Sequence, residues 1–247
     1  MILINKRVNA VIGLKMRNIL SNMSLMLNPI LALVNVFVLR RVMQNFTQID
    51  SAFNIDAFLL SLGLIINIVS GGLLISSTAI AEEKEKNTLR VLMTSSVTSG
   101  EYLLGSMIPT FLIIMIVNLL LIPASGISYS TINLNSYLFI TVTTTLISIV
   151  FGFFIGIISK DQAQSGVMST PVLLLFTMLP QFRLFNETIN RISNVTFSGI
   201  IANYIDGIFS EGVYSFSRHD ITILAIWLTI SFLLFIMAYK KFGVDSD

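Results

Sequence analysis

YLLGSMIPTFLIIMIVNLLLIPASGISYSTINLNSYLFITVTTTLISIVFGFFIGIIS, residues 102–159, contains no charged side chain. A helix that crosses the hydrocarbon of a bilayer needs about 20 mostly apolar residues. The stretch is therefore too long for one crossing and long enough for two. Pro123, Ala124, Ser125 and Gly126 interrupt it, with Asn133 and Asn135 shortly after. These turn-forming residues divide it into spans at 102–122 and 136–158.

Four more apolar segments lie on either side. They are 24–38 (reaching 44 if Arg40 and Arg41 snorkel), 57–81 without a charge, 164–182 with Pro171 inside, and 221–239. In lipid every backbone amide must be paired within its own segment, so all six are read as helices. The expected fold class is all-α, a polytopic membrane protein with six transmembrane helices. Residues 1–20 lack the continuous apolar core and the cleavage site of a secretory leader.

Composition agrees. Of the 247 residues, 54% are hydrophobic and 11% charged, where a soluble domain carries roughly 25% charged residues. Mean hydropathy is +0.85. A soluble enzyme, a nucleic-acid binder and a disordered chain are excluded. The net charge of +2 is too small to call for an acidic partner. With no cysteine, disulfides, thiolate metal sites and thiol catalysis are excluded as well.

Six spans put both termini on one side. That side carries ten cations: Lys6, Arg7, Lys15, Arg17, Lys84, Lys86, Arg90, Lys160, Lys240 and Lys241. The other carries five: Arg40, Arg41, Arg183, Arg191 and Arg218. The excess of cations places both termini in the cytoplasm, with Arg40 and Arg41 as headgroup anchors at the outer end of the first span. Residues 1–22 read as an interfacial amphipathic helix. Ile4, Val8, Ile12, Met16 and Ile19 share one face and Lys6, Asn9, Gly13 and Arg17 the other, while Lys15 interrupts the apolar face.

Membrane enzymes and ion-coupled carriers keep Asp, Glu, His or Lys inside the bilayer, where each costs roughly 2.5–3.5 kcal/mol. Runs 57–81, 102–159, 162–182 and 221–239 hold no ionisable side chain except Tyr. Zinc-protease, serine-hydrolase and phosphate-loop motifs are missing too. The one histidine, His219, precedes Asp220 and reads as a helix cap. A pump built this way takes its energy from another subunit. Asn45, Asn186 and Asn194 match glycosylation patterns that are expected to be accidental, and Gly71 and Gly72 read as a close-packing site or a gating hinge.

The one dense polar segment is 82–101, between the second and third spans. Glu82 and Lys86 stand four apart in the favourable order. Leu89, Leu92 and Met93 follow as a short apolar face, and Thr98 with Glu101 fits a capping box that starts the third span. By composition alone this is a charged connector. A charged and then apolar helix also suits docking onto a cytosolic partner.

The run Ala81-Glu-Glu-Lys-Glu-Lys-Asn-Thr-Leu-Arg-Val-Leu-Met-Thr-Ser-Ser-Val-Thr-Ser-Gly-Glu-Tyr-Leu-Leu-Gly105 resembles the signature of type-2 ABC transporter permeases. Glu83, Glu85, Lys86, Thr88, Leu89, Leu92, Ser95, Glu101 and Gly105 match. Asn87 stands for the family's Gly, Ser96 for its Pro and Ser106 for its Lys. The resemblance implies that 82–101 is a coupling segment seated in a cleft of an ATPase, with Glu82, Glu83, Glu85, Lys86, Thr88, Leu89, Arg90, Leu92, Met93 and Glu101 as the coupling residues. It also implies an outer re-entrant hairpin at 183–217 within a six-span permease domain, 23–247.

The expected function is then the membrane subunit of a bacterial exporter. Its partners would be two copies of an ABC ATPase, a second copy of itself or a related permease, and membrane lipids. ATP and Mg would be held by the ATPase and no cofactor by this chain. An integral membrane lipid-modifying enzyme and a passive channel or assembly factor are the alternatives. Ser, Thr, Asn, Tyr, Met and Phe are what the spans offer a passenger, which suits an apolar or amphipathic molecule such as a hydrophobic peptide, antibiotic or lipid-like compound.

Overall fold

The computed structural model describes residues 2–44, 54–86, 99–212 and 214–242. Within them there is no strand. An N-terminal helix, Ile2–Ser21, leads into six helices long and apolar enough to cross a membrane. These are Met23–Gln44, Ile55–Glu85, Ser99–Ser125, Leu134–Ile158, Gln162–Phe182 and Arg218–Phe242. Two shorter helices, Glu187–Ser193 and Phe197–Glu211, lie between the last two spans. The six-span reading holds, and each helix starts one to three residues before its apolar stretch.

The second span is the centre of the bundle. In its most apolar window 78% of residues are buried, against 22% in the first and sixth spans. Water supplies no hydrophobic drive between helices in lipid, so close contact depends on small residues. The second and fourth spans meet that way. A Cβ at Gly152 would sit 2.6 Å from the Leu73 carbonyl oxygen, and one at Gly156 2.6 Å from that of Ser77. One at Gly72 would sit 2.6 Å from Ser148 Oγ. Gly71 has only ordinary contacts, the nearest at 3.5 Å from Asn67 Oδ1. Gly72 is therefore the packing residue of the pair.

The second span widens into a π-helix over Ile66–Gly71. Such wide turns disturb the backbone ladder, and other helices must re-satisfy it. Ser148 donates to the Val69 carbonyl at 3.2 Å. Asn67, inside the wide segment, donates to the Ile114 carbonyl at 3.0 Å and to Asn118 Oδ1 at 2.8 Å. Tyr137 donates in turn to the Asn118 carbonyl at 2.5 Å.

The break expected between 122 and 136 forms as the residue types require. Gly126 has φ +95°, a left-handed conformation that ends the third span. Asn133 caps the fourth, accepting from Asn135 N at 3.1 Å and Ser136 N at 3.3 Å. Arg40 packs its guanidinium against Gly126, where a Cβ would lie 2.0 Å from Nη2, and approaches Asp56 at 3.8 Å. It is thus folded onto the ends of neighbouring spans, while Arg41 lies over the Phe37 ring.

Phe197, Ile200, Ile201, Tyr204 and Ile205 of the longer short helix are fully buried, whereas Leu184, Phe185, Ile192 and Val195 are exposed. The single Trp, Trp227 of the sixth span, donates to the Val195 carbonyl at 2.8 Å and stacks edge-on against Phe176 at 5.1 Å. The sixth span is capped by Ser217 and Asp220, which exchange backbone-to-side-chain hydrogen bonds of 2.9 and 3.1 Å. His219 stays exposed beside Asp220, so the cap expected of His219 falls to its neighbours.

Candidate functional site

The charged end of the second span is where the chain's polar residues converge. Four consecutive residues there reach different neighbours. Glu82 pairs with Lys86 one turn on, as the spacing predicts. Glu83 turns inward and accepts from Lys15 of the N-terminal helix and from the hydroxyl of Tyr102 in the third span. Lys84 donates to the Ile157 carbonyl at 2.7 Å, at the C-terminal end of the fourth span. Glu85 accepts from Gln162 N at 3.2 Å, at the N-terminal end of the fifth. A cation at a helix C-terminus and an anion at an N-terminus each match the local end of the helix dipole.

Lys15 is the residue that sequence reasoning misplaced. The sequence places it as an interruption of the apolar face of an in-plane helix whose cations lie near anionic lipid. Instead Val11, Lys15 and Ile19 form the buried stripe of the N-terminal helix, flanked by half-buried Val8, Ile12 and Met16. The side chains of Lys15 and Glu83 are 5% and 11% exposed. Lys15 Nζ also lies 4.9 Å from the Tyr102 ring centre. Burial lowers the Lys15 pKa from its ordinary value, and the Glu83 carboxylate opposes that shift. Exposed Lys86 has its pKa raised by its bond to Glu82.

Gly105 completes the contact. A Cβ there would sit 2.6 Å from Val11 Cγ1 and 2.7 Å from Val11 Cβ. The N-terminal helix crosses the third span on this glycine, which puts Lys15 within reach of Tyr102 and Glu83. Glu101, one residue before Tyr102, is buried as well.

Thr88, Leu89, Arg90, Leu92 and Met93 lie outside the described residues, as does Thr98 of the expected capping box. The structure therefore brings Glu82, Glu83, Glu85, Lys86 and Glu101 to one end of the bundle and leaves the apolar tip of the segment undescribed. Gly71 and Gly72 stand well apart from this cluster, at the inner flank of the π-helix. Among the described residues no group of three or more His, Cys, Asp or Glu is arranged to hold a metal ion.

No curated protein matches the chain. A family model described as ABC-2 type transporter matches residues 10–182. That match begins within the N-terminal helix, runs through the charged end of the second span and closes with the fifth. With six membrane helices around that segment, the chain belongs to the ABC-2 type transporter family and is a multi-pass membrane permease component of an ABC transporter.

Proposed function

We propose that this chain forms the translocation path of a bacterial plasma-membrane exporter driven by a separate ATPase, with both termini and residues 82–101 in the cytoplasm. The observation that carries the reading is the tethering of the second span's charged end. Glu83, Lys84 and Glu85 join it to the N-terminal helix and to the third, fourth and fifth spans. A push delivered to 82–101 would meet a clamped junction rather than a loose loop, and would be shared among helices.

ATP and Mg2+ are assigned to the partner and none to this chain. Six spans supply half of the usual translocation unit in this family, so two permease chains and two ATPase subunits make up the assembly. The interface is assigned to the first and fifth spans, whose outward faces carry Leu27, Leu31, Val34, Leu174, Leu175 and Met178. The cargo is an apolar or amphipathic molecule. The helices between the last two spans form the outer hairpin.

The test is purification from the native host with its bound proteins, followed by reconstitution. An ATPase in a two-to-two complex, with ATP-dependent movement of a hydrophobic compound out of vesicles, is the expected result. A monodisperse particle holding one copy of the chain and no ATPase overturns the reading.

A further inference from the structure

The wide turn at Ile66–Gly71 lies in the middle of the second span, with regular α-helix on either side. A π-turn closes from i to i+5 and an α-turn from i to i+4, so the segment takes up one residue more than the helix around it needs. Closing it into α-helix would release that residue. The inner half, Gly72–Glu85, would then turn by about 100° and advance by about 1.5 Å relative to Ile55–Ile65. Each of its residues would leave its place, and the residue before it in the sequence would move in.

Three close contacts of the inner half are made by a residue that follows its own kind. Gly72 packs against Ser148, where a Cβ would lie 2.6 Å from Oγ, and Gly71 precedes it with only ordinary contacts. Ser77 Oγ lies 3.2 Å from Ser169 Oγ, and Ser76 precedes it. Ser76 is fully buried, and its hydroxyl has no hydrogen-bond partner among the described residues. Glu83 pairs with Lys15, and Glu82 precedes it, paired with exposed Lys86. A one-residue shift thus keeps a glycine against Ser148, a serine hydroxyl against Ser169 and a carboxylate against Lys15. It also brings the Ser76 hydroxyl to Ser169, a partner of the kind that buried polar groups seldom lack. Lys84 and Glu85 have no such match. Their bonds to the Ile157 carbonyl at 2.7 Å and from Gln162 N at 3.2 Å belong to the present setting and hold it.

We propose that the inner half of the second span has two settings one residue apart, interconverted by closing the π-turn at Ile66–Gly71. The doublets Gly71-Gly72, Ser76-Ser77 and Glu82-Glu83 serve both. Only the driving force rests on the export reading: a push on 82–101 that frees Lys84 and Glu85 would favour the shifted setting.

The chain has no cysteine, so disulfide cross-linking can read the register residue by residue. The full-length protein in detergent is oxidised with copper phenanthroline. Ser77→Cys with Ser169→Cys should cross-link rapidly, and Ser76→Cys with Ser169→Cys more slowly. Thr78→Cys with Ser169→Cys, one residue the other way, should not cross-link. Gly71→Ala fits the present setting and would press its methyl group on Ser148 in the shifted one. It should leave the 77/169 pair unchanged and slow the 76/169 pair about tenfold, the effect of overpacking by one methyl group. A 76/169 yield no greater than that of 78/169, or one indifferent to Gly71→Ala, overturns the proposal.

In the complex with the ATPase, trapping with ATP and vanadate should raise the 76/169 yield at the expense of 77/169. Unchanged yields in a complex that hydrolyses ATP overturn the shift as a step of transport. Failure to find any ATPase complex defeats the export reading instead, and the cross-links of the isolated chain still decide whether the two settings exist.

Discussion

Lys15 and Glu83 form a buried ion pair across 68 positions of sequence, and Tyr102 donates its hydroxyl to the same carboxylate. The pair ties the N-terminal helix to the second span beside the Val11–Gly105 contact with the third. Desolvating two charges offsets much of their attraction, so such a pair adds little net stability over an apolar substitute, while breaking it leaves a charge alone in the interior. Lys15→Met should therefore destabilise the protein by about 3 kcal/mol. Lys15→Met with Glu83→Leu should recover most of that. Thermal unfolding in detergent checks both, and a double variant as unstable as the single would show that the pair is not the tie.

Gly71 and Gly72 are adjacent in the sequence and separable in the structure. A methyl group at Gly72 meets Ser148 Oγ at 2.6 Å, and one at Gly71 meets only ordinary contacts. Gly72→Ala should cost about 1–3 kcal/mol through overpacking. Gly71→Ala should stay within about 0.5 kcal/mol of the wild type. Unfolding midpoints of the two variants give the comparison. If Gly71→Ala keeps stability yet abolishes transport, the glycine acts as a hinge after all.

The spans were legible because lipid leaves so few options. Uncharged runs of the right length must be helices, and Gly126 and Asn133 announced the break that the third and fourth spans make. The charged end of the second span was legible as a motif, and the Glu82–Lys86 pair followed from spacing alone. The partners of Glu83, Lys84 and Glu85 were not. Lys15, Ile157 and Gln162 are brought to them by tertiary packing, which no local period records. The π-helix was equally silent, because Ile66–Gly71 has the composition of any apolar span. Gly105 was visible as a motif residue before its reason was. Only the packing shows that Val11 needs that space.

The proposed placement of both termini in the cytoplasm predicts a labelling pattern. The chain has no native cysteine, so single cysteines report cleanly. Ser246→Cys should resist an impermeant thiol reagent in intact cells and react after the membrane is opened. Ser128→Cys, in the turn between the third and fourth spans, should react in intact cells. The reverse pattern would show that the ten-to-five distribution of Lys and Arg was read with the wrong sign.

The proposed coupling role of 82–101 is tested at its tip and at its base. The base is clamped by Glu83, Lys84 and Glu85, so a force applied beyond Lys86 would be passed on to several helices. Leu89, Leu92 and Met93 are expected to enter an ATPase groove, with Arg90 at its rim. A buried apolar anchor at an interface is worth about 2 kcal/mol or more, while an exposed ion pair is worth up to about 1 kcal/mol. Lys84 is no neutral control, because it holds the end of the fourth span. Lys160, exposed between the fourth and fifth spans and outside 82–101, is the better one. Leu89→Asp should abolish substrate-stimulated ATP hydrolysis and export with the partner co-expressed, and Lys160→Ala should leave both near wild type. Insertion should survive in each, since neither change touches a span. If Leu89→Asp and Leu92→Asp both leave hydrolysis and export at wild-type levels, residues 82–101 are a connector, and the clamp around Glu83 serves the stability of the bundle alone.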